Sequence, residues 1–149
     1  MDTPSPTIPT DQSVPWRGFH HVALTTPDLD ATIRFYVDVL GMQAGDIMDR
    51  YGKHCFIKPG SSETWGLHIF ETSEAQIFPY PDSSERFVFI PGALQHIAFA
   101  LPDEQAAMAL RERLHTHHVH TTGVNDLGPI RNFLFVDNNG TLLEAAWPK

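Results

Sequence analysis

Residues 21–31, His21-Val22-Ala23-Leu24-Thr25-Thr26-Pro27-Asp28-Leu29-Asp30-Ala31, are answered 75 residues later by His96-Ile97-Ala98-Phe99-Ala100-Leu101-Pro102-Asp103-Glu104-Gln105-Ala106. The two stretches share His, Ala, Pro, Asp and a second Ala at identical offsets, and their apolar positions also correspond. Alternation of period two before Pro-Asp predicts a strand, and the pattern after it predicts a helix capped by an aspartate. A repeat on this scale divides a chain of 149 residues into two modules of about half its length. The chemistry is then expected where the modules meet.

Outward from the first copy, Phe19 to Thr26 reads as a strand. Asp28 or Asp30 caps a helix with Ile33, Tyr36, Val39 and Leu40 on its inner stripe, ended by Gly41 in a left-handed cap. Met42 to Met48 and His54 to Lys58 read as short strands, and Pro59-Gly60-Ser61-Ser62 turns the chain into a fourth, Trp65 to Phe70. From the second copy follow a strand, Leu94 to Leu101, and a helix from Asp103 to about His115 with Ala107, Leu110 and Leu114 inward. Val119 to Val124 and Asn132 to Val136 continue as strands, and Asn139-Gly140 signals a tight hairpin into Thr141 to Trp147.

The expected fold class is therefore α+β, with two tandem βαβββ modules over residues 18–71 and 93–149. Residues 1–17 read as a flexible tail, since Pro4, Pro6, Pro9 and Pro15 stand among polar residues, with Trp16 as its docking point. Residues 72–92, rich in proline and aromatics, read as an inter-module linker or lid.

A net charge of -8 opposes binding to a phosphate backbone, so nucleic acid is not an expected partner. Cys55 is the only cysteine, which excludes an internal disulfide and a cysteine-based zinc cluster. No apolar run approaches membrane-spanning length and no signal-peptide pattern opens the chain, so a soluble cytoplasmic protein is expected. Nine histidines exceed what a packed core needs and direct attention to metal binding.

The repeat also serves as a ruler. His21 and His96 hold the same place in the first strand of each module. His68 follows His21 by 47 residues in the last strand of the first module, and Glu144 follows His96 by 48 in the last strand of the second. Period two sets His21 on the face of Ala23, His96 on that of Ala98, and Glu144 on that of Leu142 and Ala146. The larger apolar residues fall on the opposite faces, where helices pack. Imidazoles with one carboxylate suit a divalent metal such as Fe, Mn, Ni, Co or Zn.

The runs HHVALTTPDLDATIRFYVDVLGM (residues 20–42), HIAFALPD (96–103) and FVDNNGTLLE (135–144) resemble the vicinal oxygen chelate superfamily, which includes glyoxalase I, bleomycin-resistance proteins, fosfomycin-resistance enzymes and extradiol dioxygenases. The resemblance covers nearly all of residues 18–147. It implies two modules curled into a half-open mixed β-barrel around a metal held by His21, His68, His96 and Glu144. That barrel forms within one chain or by exchange between the chains of a homodimer.

Three departures from the family pattern stand out. His68 takes a place where glyoxalases carry Glu or Gln. Thr25 stands where glyoxalase I has a glutathione-anchoring arginine. Asn138-Asn139 replaces Pro-Asp before Gly140, which is expected to alter only the turn.

Four protein ligands leave two adjacent positions for a chelating substrate, the arrangement of a metal-dependent lyase or isomerase acting on a small oxygenated metabolite, with Glu144 and His68 as its catalytic residues. A three-ligand set of His21, His96 and Glu144 would instead resemble an extradiol-type ring-cleaving dioxygenase. A third reading is a small-molecule binding protein of the bleomycin-resistance kind. Phe56, Phe133 and Arg131 are the expected substrate contacts. Lys53 and Lys58 are further candidates for an anionic group, and Tyr51 and His54 for acid-base help. His115, His117, His118 and His120, just past a helix, are expected to face solvent.

Overall fold

The computed structural model describes residues 14–61, 66–75 and 92–149. Its first module contains β1 (His21–Thr26), α1 (Leu29–Arg34), β2 (Gln43–Ala44), β3 (His54–Lys58) and β4 (Gly66–Glu71). The second contains β5 (Ile97–Ala100), α2 (Glu104–Thr116), β6 (Asn125–Asp126), β7 (Ile130–Val136) and β8 (Leu142–Pro148). Each forms a four-stranded mixed sheet, ordered β1-β4-β3-β2 in one and β5-β8-β7-β6 in the other. The repeat is thus a repeat of topology as well as of sequence. Among the described residues the two sheets remain separate and do not join into the expected half-open barrel.

Asp28 and Asp103 cap α1 and α2, each carboxylate accepting the N–H three residues on, from Ala31 and Ala106, at 2.8 Å. Gly41 ends the first helical segment at φ +73°, as its position suggests. That segment is not one regular helix. After Arg34 it widens into a π-helical turn, Phe35–Val39, which puts Phe35 and Tyr36 side by side in the core instead of Tyr36 alone.

Most strand ends move by one to three residues, and larger differences from the sequence reading are these. The strand expected over Met42 to Met48 shrinks to Gln43–Ala44, with a separate bridge between Met48 and His54. Val119 to Val124 is not a strand, because the Thr122 hydroxyl takes the Leu134 N–H that a ladder carbonyl would have taken. Trp16 is 84% exposed and does not dock. Residues 1–13, Trp65 and most of the 72–92 linker lie outside the described residues.

The core lies on the faces opposite the histidines. Cys55, Ile57, Leu67 and Ile69 from the first sheet join Phe133, Phe135, Leu143, Ala145 and Trp147 from the second in one buried cluster, closed by Leu29, Phe35 and Tyr36 with Ala107 and Leu114 of α2. A polar joint directs this apolar packing. The Asp137 carboxylate accepts from the Asn139 and Thr141 N–H groups, both at 2.8 Å, and from the Tyr36 hydroxyl at 2.8 Å. Asn138 and Asn139 donate to the Thr32 hydroxyl at 3.0 and 3.1 Å, and Thr26 donates to Asn139 at 3.1 Å. The Asn-Asn departure therefore does more than alter a turn: its side chains fasten the β7–β8 hairpin of one module to β1 and α1 of the other.

Burial holds Asp137 above the usual carboxylate range, against the opposing hydrogen bonds from Thr141, Tyr36 and Asn139. A carboxylate whose pKa is higher folded than unfolded binds a proton on folding, so its contribution to stability declines as pH rises through that interval. In urea titrations, the stability of the wild type relative to Asp137→Asn should fall as pH is raised above about 4. A difference that grows with pH would contradict the burial argument. Asp137→Ala, which strands the buried Tyr36 hydroxyl and two half-buried N–H groups, should cost about 2–3 kcal/mol at any pH.

Candidate metal centre

Parallel pairing of the first and last strand in each module builds the candidate ligand pairs. In the first sheet Ala23 lies opposite His68, and in the second Ala98 lies opposite Glu144. His21 and His96 stand two residues before those alanines, so the two halves are equivalent in register. Ala23, Thr25, Ala98 and Ala100 on these faces are exposed, which leaves open space beside the ligands.

In the second module the pair is made. His96 Nε2 and Glu144 Oε2 are 3.0 Å apart. The other ring nitrogen, Nδ1, is bonded to Gln95 Oε1. With Nδ1 as the N–H donor, the Nε2 lone pair faces the carboxylate side, the tautomer that a metal ligand requires. Two ligands at right angles and about 2.1 Å from one ion would themselves be about 3 Å apart, so this spacing accommodates a metal as well as the direct His96–Glu144 contact. Glu144 is buried, and its second oxygen, Oε1, accepts from Asn132 Nδ2 at 2.8 Å.

The first module carries a chain of imidazoles. His21 is exposed, with its ring 5.6 Å from that of His68, and His68 lies 5.0 Å from buried His54. Phe56 stacks on His68 at 3.9 Å with the planes 15° apart, and Phe70 lies 4.1 Å away on a tilt. Burial first, then the neighbouring His54 and His21, keep His68 below the ordinary histidine range. Its ring is thus neutral near pH 7 with a lone pair available. Both His68 Nε2 and His54 Nδ1 are buried with no hydrogen-bond partner. Unpaired buried nitrogens are costly, and a ligand on either would offset that cost.

The donors therefore suit a divalent ion, but the chain does not bring all four together. Among the described residues, no three His, Cys, Asp or Glu side chains converge as a group that could hold a metal. His21 and His68 form one half, and His96 and Glu144 the other.

The expected substrate contacts divide in the same way. Phe56 is a wall of the first half. Phe133 is opposite Ala145, on the other face of the sheet from Glu144, and is fully buried against Trp147 and Phe135. It belongs to the core. Arg131 shares that far face, where its Nη1 donates to both Glu104 oxygens at 3.0 Å and its Nε lies 3.9 Å from Asp126. Lys53 is likewise paired, 3.2 Å from Asp30 and 3.6 Å from Glu71. Tyr51 is exposed under Arg50. Of the four histidines at the end of α2, His115 lies in its last turn and contacts the Thr121 hydroxyl at 2.9 Å, and His117 caps the helix.

Asn132 was not singled out by the sequence. It opens the inner part of an ordinary strand, and only the β7–β8 register shows that it shares the Glu144 face.

Two four-stranded βαβββ sheets with ligand-type residues at equivalent places define a class of duplicated α+β proteins. The chain belongs to the Glyoxalase/Bleomycin resistance protein/Dioxygenase superfamily, whose family model matches residues 18–145. Among solved structures it is similar to a glyoxylase/bleomycin resistance protein/dioxygenase domain from Frankia sp. EAN1pec, with a TM-score of 0.72 at 19% identity over 90% of this chain and 99% of that one. Lactoylglutathione lyase from Agrobacterium tumefaciens aligns with a TM-score of 0.64 at 20% identity over 90% and 96%. The fosfomycin resistance protein FosX from Listeria monocytogenes gives 0.66 at 20% identity over 90% and 94%. At such identities the likeness is one of fold. No curated protein matches the sequence. Among the described residues no helix is long and apolar enough to cross a membrane.

The two phenylalanines should separate in stability measurements. Phe133→Ala should cost about 3–5 kcal/mol in urea unfolding, as expected for a core aromatic. Phe56→Ala, on a half-buried side chain at the open face, should cost less than half as much.

Proposed function

We propose that the protein is a metal-dependent lyase or isomerase acting on a small oxygenated metabolite. The observation that supports this reading most directly is His68. It occupies in the first sheet the register position that Glu144 occupies in the second, and its buried Nε2 has no partner. With His68 the donor set numbers four, His21, His68, His96 and Glu144. A divalent ion held there would supply Lewis-acid stabilisation of charge building on a substrate oxygen. The protein's own residues do the rest. Asn132 fixes Glu144, so that one carboxylate oxygen is directed at the site. His68 Nε2 is placed to take or return a proton, or to complete the ligand set. Phe56 walls one side and restricts water.

We further infer that two chains complete each site. β1 and β5 are edge strands with one neighbour apiece, and the two halves do not converge among the described residues of one chain. A homodimer in which β1 of one chain approaches β5 of the other would unite His21 and His68 with the partner chain's copies of His96 and Glu144.

Mixing inactive variants tests both parts. His21→Ala and Glu144→Ala should each lose metal-dependent turnover. Unfolded and refolded together, they should regain activity, since each heterodimer holds one site with both residues intact. Sites built within one chain would regain none. Metal analysis of the purified wild type accompanies this: absence of bound divalent metal, with ligand binding unharmed in both variants, would favour a sequestering protein. Oxygen uptake with catechols by the iron-loaded protein would favour a ring-cleaving dioxygenase.

A further inference from the structure

We propose that Asn132 is a positioning residue that orients Glu144 for metal binding, an inference that rests on the metal-dependent reading above. Asn132 Nδ2 donates to Glu144 Oε1 at 2.8 Å, and the pair is buried. The opposite oxygen, Oε2, is the one that lies 3.0 Å from His96 Nε2. One carboxylate oxygen is therefore held by the amide while the other shares space with the imidazole. Without the amide, rotation about the last side-chain bond would exchange the two oxygens freely. The amide is itself fixed, because its oxygen accepts from Asn125 Nδ2 at 3.1 Å. Asn125 and Asn132 face each other across the β6–β7 ladder, so the support comes from two strands and no loop.

The internal repeat adds an independent argument. Asn132 lies opposite Ala146, two residues beyond Glu144, as His54 lies opposite Phe70, two residues beyond His68. The same lattice point next to the proposed last-strand ligand thus carries a polar, buried side chain in both modules. In the module whose ligand is a carboxylate, that side chain is a pure N–H donor toward it. A donor is the group that binds a carboxylate oxygen without competing for the ion.

The test is metal affinity, read by competition with a chromophoric chelator and by the Co(II) absorption spectrum, alongside the thermal midpoint of the metal-free protein. Asn132→Ala and the similar-sized Asn132→Leu should each weaken Co(II) and Zn(II) binding roughly 10- to 100-fold. The Co(II) bands should shift with them, while a cooperative thermal transition of the metal-free protein, its midpoint lowered by the hydrogen bonds lost from Glu144 and Asn125, shows that both variants still fold. In a crystal structure of either metal-free variant, Glu144 should leave His96. Wild-type affinity retained within about twofold in both variants would overturn the inference and leave the metal reading standing. A wild type that takes up neither ion at this site would overturn the metal reading, and the inference with it.

Discussion

The carboxylate of Asp137 is bound from three sides, by two N–H groups of its own turn and by the Tyr36 hydroxyl of the other module. The rest of the architecture depends on that joint. Apolar burial between the modules is extensive but non-directional, and a cluster of Leu, Ile and Phe tolerates sliding. Hydrogen bonds to a buried anion do not, because each loses most of its value when its geometry is lost. Thr26, Thr32, Asn138 and Asn139 extend the network around the same turn. A buried polar joint of this kind contributes modest net stability and a large gain in uniqueness of arrangement.

Holding the modules by their helix-covered faces has a consequence for chemistry. The other faces, which carry the histidines and Glu144, are free of that packing, and among the described residues the edge strands β1 and β5 have one neighbour apiece. Within each face, parallel pairing of first and last strands puts ligand-type residues on adjacent backbones. Placement then relies on ladder hydrogen bonds, which hold position more tightly than loops do. The halves have diverged in character. The first is rich in imidazole and aromatic rings, with His54, Phe56 and Phe70 around His68. The second offers a carboxylate, an amide and a single imidazole. The result pairs a hydrophobic, nitrogen-donor wall with a harder oxygen-donor one.

Much of this was legible in the sequence because it depends on local periodicity. His54–Lys58 is the strand that alternation predicts, and the aspartate caps and the Gly41 stop fall where their residue types require. The equivalence of His68 with Glu144 follows from counting along the repeat. What escaped depends on non-local geometry. Whether Phe133 faces Glu144 or the core is decided by the length of the β7–β8 loop, since one residue more or less reverses every facing. The Asp137 N–H bonds Thr141 O, which makes Asn138 to Gly140 the loop and pairs Leu134, not Phe133, with Glu144. Arg131 follows the same parity to Glu104. Likewise the Asn138-Asn139 pair has an obvious local use as turn residues, and nothing local discloses that Thr32 waits in the other module.

If the four proposed donors hold one ion, their division between two faces would tie its binding to assembly. An ion that completes its shell only when the His21 half meets a His96 half binds one assembly and not its separated parts. Such an ion would stabilise that assembly by RT ln(1 + c/Kd), where c is the free ion concentration. The converse holds with equal force, since association raises affinity for the ion by the same factor. A joint as directional as that of Asp137 contributes to this coupling. On the proposed two-chain reading, it would hold the halves of one chain apart and leave both for a partner. On the proposed reading, the polar lock between modules and the open donor faces would belong together, rigidity in the first leaving the second to be completed by a partner chain.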